Sequence, residues 1–256
     1  MKKLLPFALA LSACGAHAAV ELTADQPIYL QDFDTLSSTG TSSILPSGWS
    51  LLESGSSSAV DQSYAAGSGS SNGGNVYSFG TATGTDRALG TLLSGTLTPL
   101  IGASFTNAAD RSILQLSLAY VGEKWRRGVT DSRADRLDFQ YSTDATSLTS
   151  GTWTDFDSLD FNAPILTGTA GALDGNAQAN RSAVSATLTG VSLASGQTLW
   201  IRWTDYNANG ADDGLAIDDF SLTATLAPVP EPETYALMLA GLGAVGLMAR
   251  RRRQGA

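Results

Sequence analysis

The sequence predicts an all-β fold, a two-sheet antiparallel β-sandwich, for most of the 256-residue chain. Short runs in which apolar and polar residues alternate recur between clusters of Gly, Ser, Thr, Asn and Asp. Away from the two ends, no run longer than about ten residues has the spacing of an amphipathic helix. Strands with one apolar face must bury that face, and a second sheet is the simplest partner.

The alternation is clearest in residues 114–120, 137–141 and 199–203. In the last run, Leu, Ile and Trp side chains share one face, while Trp200 and Arg202 occupy the other. Each run therefore predicts a strand with one buried and one solvated face.

A stretch rich in Ser, Gly and Ala, residues 54–75, interrupts these runs. Its composition predicts a surface loop between strands rather than a separate domain. Residues 19–227 are therefore expected to form one domain, a size that suits a single β-sandwich.

Residues 1–18 have the features of a signal peptide, with an expected helical apolar segment. Two lysines precede an apolar run, which ends in the small-residue sequence Ala16, His17, Ala18. Cleavage there by signal peptidase removes Cys14 and His17, the only Cys and the only His of the chain. In an alternative, Cys14 is itself lipid-modified and becomes the first residue.

The mature chain left by signal-peptide cleavage has no His and no Cys, which excludes several chemistries. Zinc sites of the His/Cys type, Cys nucleophiles, Ser-His-Asp triads and disulfides all need these side chains. No spacing marks the carboxylate pair that a glycosidase needs. We therefore expect a noncatalytic protein, and a secreted carboxylate-dependent hydrolase is the alternative.

The domain at residues 19–227 is strongly acidic. It contains nine basic and 22 acidic residues, a formal charge of −13, whereas the whole chain has −9. Such a surface repels nucleic-acid phosphates, so nucleic acid is not an expected partner.

The C-terminal segment, residues 228–256, predicts a single transmembrane helix. Residues 234–249 carry no charge and would extend about 24 Å as a helix, somewhat less than a typical span. Basic side chains after a span extend toward the membrane surface and favour the cytoplasmic side. Four of them follow: Arg250, Arg251, Arg252 and Arg253.

A Pro-Glu-Pro sequence, Pro230, Glu231 and Pro232, precedes the apolar stretch. The succession of a Pro-Glu-Pro sequence, a short apolar span and an arginine cluster resembles the PEP-CTERM protein-sorting signal. The resemblance implies anchoring in the inner membrane, cleavage near the motif by an exosortase, and a final place on the cell surface or outside the cell. An ordinary C-terminal membrane anchor is the alternative.

One candidate Ca²⁺ site is a loop with oxygen side chains at alternate positions. Asp205, Asn207 and Asn209 are followed by a Gly, and Asp213 is close behind, a pattern that directs oxygens at one cation. Ala216 stands where an EF-hand loop has its closing Glu. Asp and Asn also favour tight turns without any metal, so both interpretations stay open.

A second candidate Ca²⁺ site combines two distant strands. Asp218 and Asp219 interrupt a late apolar strand, and Asp32 and Asp34 lie in an early one. An inward carboxylate requires a cation or an arginine. The early "DFD" and late "LAIDDFSL" strands, together with residues 137–161, resemble the calcium-containing jelly rolls of the MAM and carbohydrate-binding-module type. The resemblance implies a jelly roll whose first and last strands are adjacent, with a structural Ca²⁺ at their ends.

Aromatic and arginine side chains in loops are candidates for polysaccharide binding. Trp125 and Tyr206 offer flat faces for sugar rings, and Arg126 and Arg127 offer donors to hydroxyls. We therefore predict a noncatalytic surface or extracellular-matrix protein that serves adhesion or polysaccharide binding. A purely structural matrix component without a glycan ligand is the alternative.

Overall fold

The computed structural model describes residues 18–229 and 232–254. Within them the chain forms two β-sheets, two single-turn 3-10 helices (Asp157–Leu159 and Gln178–Asn180) and one α-helix, α1 (Pro232–Gln254). The strands in chain order are β1 (Val20–Leu22), β2 (Ile28–Gln31), β3 (Thr41–Ser42), β4 (Trp49–Gly55), β5 (Tyr64–Gly67), β6 (Asn75–Phe79), β7 (Ala88–Leu92), β8 (Leu97–Asn107), β9 (Ile113–Arg127), β10 (Arg136–Ser142), β11 (Thr154–Asp155), β12 (Phe161–Asn162), β13 (Gly171–Ala172), β14 (Arg181–Leu193), β15 (Thr198–Asp205) and β16 (Gly214–Leu226).

The two sheets confirm the predicted sandwich. Sheet A has seven strands in the order β1-β8-β15-β10-β11, with β4 also paired to β8 and β12 to β10. Sheet B has nine strands in the order β13-β9-β16-β7-β6-β5-β3, with β14 also paired to β9 and β2 to β16. Among the strands described, only the β1–β8 and β5–β6 pairs are parallel.

An early and a late strand lie side by side, as the jelly-roll resemblance implies. β2 pairs antiparallel with β16, and Leu30 stands opposite Ser221. This pairing places the residues that follow β2 beside the middle of β16, where Asp218 and Asp219 lie.

The core between the sheets is built around Trp203. Its ring lies 5.2 to 6.0 Å, centroid to centroid, from the rings of Phe139, Tyr120, Trp49 and Phe220. Such aromatic pairs add roughly 0.5–1.5 kcal/mol each beyond the burial of their area. Every second residue of β15 is buried, so the alternation predicted for residues 199–203 is confirmed.

The stretch at residues 54–75 is not only a loop, which corrects the prediction. It contains β5, which pairs in parallel with β6. The cause is Tyr64, whose ring is buried and whose hydroxyl donates to the carbonyl of Ile44 at 3.0 Å. One large apolar side chain thus anchors a segment of otherwise small residues.

The loop between β10 and β11, residues 143–153, lies over the outer face of sheet A. Leu148 packs on Gly102, where an added Cβ would come within 2.7 Å of its Cδ2 atom. Arg202 donates to the carbonyl of Leu148 and lies 4.0 Å from the ring centroid of Trp153. These contacts fix the loop on the sheet.

The two predicted targeting segments are described only in part. The signal peptide at residues 1–18 lies outside the described residues except for Ala18, as do Pro230 and Glu231 of the Pro-Glu-Pro sequence. A helix does form over Pro232–Gln254. In the part of the chain that the structure describes, no helix has the length and apolarity of a membrane span, so the transmembrane prediction is not confirmed.

Candidate ligand and cation sites

The loop after β15 holds the first group of predicted Ca²⁺ ligands. Asp213 accepts the backbone N–H of Gly128 at 2.7 Å and forms an ion pair with Lys124, Nζ to Oδ2 2.5 Å. Burial lowers the pKa of Lys124, and the bond to Asp213 opposes that shift. A lysine of β9 therefore neutralises this carboxylate.

The backbone of the same loop is held by Arg133. Its guanidinium donates to the carbonyls of Asn209 and Ala211. The side chains of Asn207 and Asn209 are exposed. Lys124 thus pairs with one side chain of the predicted ligand set, Asp213, whereas Arg133 bonds to backbone carbonyls of the loop.

Asp205 lies at the end of β15 and faces the core. One carboxyl oxygen accepts the Thr91 hydroxyl at 2.9 Å and the Leu93 N–H at 3.0 Å. The other has no partner among the described residues. Burial raises the pKa of Asp205 well above its ordinary value, and the charges of Asp135 and Asp212 act in the same direction.

The second group of predicted ligands is brought together by the β2–β16 pairing. Asp32 accepts the N–H of Asp34 at 3.2 Å, and Asp34 accepts the N–H of Arg87 at 3.0 Å. Asp218 is buried and accepts the N–H of Asp219 at 2.7 Å. Asp219 itself is exposed and has a φ of 47°, a left-handed conformation that Asp tolerates better than most residues.

The carboxylates around β16 raise one another's pKa. Burial raises the pKa of Asp218 to about 8 and that of Glu123 to about 7, and the charges of Asp86 and Asp219 add to both shifts. Arg181 opposes the shift of Glu123. Ca²⁺ is a hard cation that prefers oxygen ligands of this kind. Within residues 18–229 and 232–254, however, no three His, Cys, Asp or Glu side chains are positioned to hold a metal ion.

Trp125 has no exposed face, which corrects the expectation of a sugar platform there. Its side chain is 1% exposed and stacks on Phe79, with ring centroids 6.0 Å apart. The indole N–H donates to Glu123 at 2.8 Å. A Cβ added at Gly175 would come within 2.3 Å of the Trp125 ring, so the 171–175 segment covers it.

The other predicted ligand-binding residues have separate positions. Arg126 donates to the carbonyl of Gly69, and Arg127 donates to that of Ile165, so each arginine anchors a loop. Tyr206 is 41% exposed, and an arginine guanidinium lies 3.9 Å from its ring centroid. Of the two aromatic residues predicted to bind sugar, Tyr206 is therefore exposed in the described structure and Trp125 is not.

A groove that the sequence did not predict opens beside Trp200. It has a volume of about 470 Å³ and lies between β15 and the 143–153 loop. Its lining includes Ser104, Thr143, Asp144, Gln197, Thr198 and Trp200. The alternation of β15 correctly placed Trp200 on the outer face, but the loop that forms the facing wall is about fifty residues away in the chain.

The C-terminal helix begins inside the Pro-Glu-Pro sequence and contains the four arginines at 250–253. Residues 228–253 match the family model described as the PEP-CTERM protein-sorting motif. The segment is a PEP-CTERM sorting motif. The PEP-CTERM motif implies processing by an exosortase and indicates export to the surface or the exterior of the cell. It covers about a tenth of the chain, and no curated protein matches the sequence.

Three solved structures are similar to this chain at low identity. The K3 cleaved adhesin domain of Lys-gingipain from Porphyromonas gingivalis is 12% identical, with a TM-score of 0.42 over 77% of this chain and 96% of that one. A xylan-binding domain from CBM 22 is 8% identical, with a TM-score of 0.40 over 78% and 96%. TmCBM61, solved with β-1,4-galactotriose, is 11% identical, with a TM-score of 0.34 over 68% and 88%.

Proposed function

We propose that this chain is a noncatalytic exported protein whose β-sandwich binds polysaccharide on the cell surface or in the extracellular matrix. The PEP-CTERM motif at residues 228–253 is the observation that carries the proposal. A chain that is exported and processed by an exosortase delivers its single sandwich domain to a place where polysaccharide is available.

The domain has features that suit binding better than catalysis. A groove of about 470 Å³ with one tryptophan and several uncharged polar side chains lies on sheet A, and ligand sites typically combine a flat apolar surface with a few polar groups. The predicted mature chain has no His or Cys to serve as base or nucleophile.

A structural Ca²⁺ is part of the proposal. The residues that would hold it are Asp32, Asp34, Asp218 and Asp219, which lie where the chain leaves β2 beside the middle of β16. Within the described residues these carboxylates are not positioned around a common point, so the ion would have to draw their side chains together. The ion would supply positive charge to this group and so stabilise the junction of an early and a late strand. It has no role in binding or chemistry in this proposal.

A glycan array probed with the purified full chain tests the proposed function. We expect binding to at least one polysaccharide, with no new reducing ends released after long incubation. Failure to bind any glycan would favour the purely structural alternative. Release of reducing ends would instead favour the hydrolase.

A further inference from the structure

We propose that the groove between strand β15 and the 143–153 loop is the polysaccharide-binding site, and that it takes an uncharged sugar residue stacked on Trp200. This inference rests on the proposed function and specifies its site and the class of ligand. It depends on three features of the groove: an open indole, exposed polar groups and a wall that is already formed.

Trp200 differs from the other tryptophans of the chain. Trp49 and Trp203 stack on each other in the core between the sheets, Trp125 stacks on Phe79, and Trp153 lies beneath an arginine. Each of these four rings therefore already packs against another side chain. Trp200 makes no aromatic or cation contact with any described residue, is only half-buried and lines the groove.

The sheet leaves room around the Trp200 indole. Its cross-strand neighbours are Ser104 on β8 and Ser142 on β10, which are both small and buried. Side chains directly opposite one another on a sheet lie about 4.5–5.5 Å apart at Cβ, so larger residues at these positions would cover the ring. With serines on both sides, a face of the indole can accept a ligand.

The walls present an exposed acceptor group and a free donor. Asp144 is exposed and uses Oδ1 to accept the Ser142 hydroxyl at 2.7 Å and the Thr152 N–H at 2.8 Å, and the Thr152 side chain also bonds to this carboxylate. Gln197 uses Oε1 to accept the Ala194 N–H at 2.8 Å, and its Nε2 donates to none of the described residues. Sugar hydroxyls both donate and accept, so these two groups suit them.

The charge of the groove selects against anionic sugars. Asp144 is the charged residue among those lining it, and no Lys or Arg is present there. The surrounding domain has an excess of acids as well. A uronate or a sulfated sugar would be repelled, whereas an uncharged hexose or pentose unit would not.

Contacts within the protein hold the groove wall in place. Asp144 ties the start of the 143–153 loop to its end through the Thr152 N–H. Near the middle of the loop, Leu148 packs on Gly102, and Arg202 bonds to the Leu148 carbonyl. A preformed wall removes much of the ordering cost of binding.

The test compares Trp200 variants of the full chain in affinity electrophoresis through gels containing xylan, β-1,4-galactan or polygalacturonate. We expect the wild type to be retarded by at least one of the two neutral polymers and not by polygalacturonate. Trp200→Ala should weaken retardation at least tenfold, and Trp200→Phe, which keeps a flat ring, should restore part of it. Thr204→Ala, on the same face of β15 but outside the groove lining, is the matched control and should bind as the wild type does.

The possible results distinguish the assignment of the groove from the proposed function of the protein. Unchanged binding by Trp200→Ala would overturn the groove assignment and leave the proposed function standing. Preference for polygalacturonate would overturn the ligand class. If no glycan of this test or of the array is bound by the wild type, the proposed function fails and this inference fails with it. Should Trp200→Ala melt at a lower temperature than the wild type, Gln197→Ala gives the decisive comparison, because Gln197 is exposed and its side chain bonds to the turn before β15 rather than to the sheet.

Discussion

Lys124 and Asp213 form a buried ion pair that joins β9 to the start of β16, with Nζ and Oδ2 2.5 Å apart and side chains 0% and 4% exposed. Lys124 points between the sheets and also donates to the carbonyl of Ile165 at 2.8 Å. A single lysine thereby links a central strand to two loops. It is also the only lysine outside the predicted signal peptide.

Replacing Lys124 with methionine should destabilise the domain strongly. Removing one partner of a buried ion pair leaves the other charge uncompensated, which costs about 3–5 kcal/mol. Urea denaturation followed by circular dichroism measures this loss in the free energy of unfolding. The double variant Lys124→Met, Asp213→Asn should recover part of it, and a double variant no more stable than the single one would contradict the explanation.

Glu123 should make the domain less stable as the pH rises. Its pKa is raised from 4.5 to about 7 in the folded chain, so its contribution is complete below about pH 4.5 and is lost as the pH rises through about 7. The shift corresponds to about 3 kcal/mol.

Glu123→Gln should therefore show a smaller fall in unfolding free energy between pH 4.5 and pH 8 than the wild type, measured by urea denaturation with a chelator present. Gln keeps an oxygen that can accept the Trp125 indole N–H. Equal falls in the two proteins would show that Glu123 does not titrate as described.

Calcium should raise the melting temperature of the wild type, and a chelator should reverse the increase. Asp219→Asn should abolish this response, because the amide removes a charge from the proposed site while tolerating the positive φ. Asp110→Asn is the matched control, since Asp110 is exposed and, among the described residues, pairs with its neighbour Arg111 alone. Identical melting curves with calcium and with chelator in the wild type would rule out the ion.

Glu231→Ala should block processing of the PEP-CTERM motif. Immunoblots of membrane and medium fractions would then show a longer, cell-associated form, whereas the wild type yields a shorter exported one. Glu233→Ala, two residues further on, should be processed normally. Normal processing of Glu231→Ala would favour an ordinary membrane anchor.

The sequence predicted the features that depend on local pattern. The alternation around Ile201 and Trp203 gave the buried face of β15, because a strand has a side-chain period of two. The resemblance of the acidic early and late strands to calcium-containing jelly rolls implied that these strands are adjacent, and β2 does pair with β16.

Features that depend on distant segments were not predictable. Trp125 is flanked by charged residues in the sequence, yet Phe79 and the segment near Gly175 cover it. Lys124 stands among polar and charged residues in the sequence, but its partner Asp213 is 89 residues away. The groove at Trp200 likewise needs a loop whose position on sheet A no local periodicity encodes.

The position of β16 has a mechanical consequence. This last strand of the domain is bonded on both sides, to β9 along its length and to β7 and β2 on the other edge. Its end is fastened by the bond from the Ala227 N–H to the Ser112 carbonyl at 2.8 Å. A pull transmitted from the C-terminal segment acts along the strand and across ladder bonds perpendicular to it, so the bonds share the load in shear instead of opening one by one. A domain pulled from this end would therefore resist unravelling from its last strand.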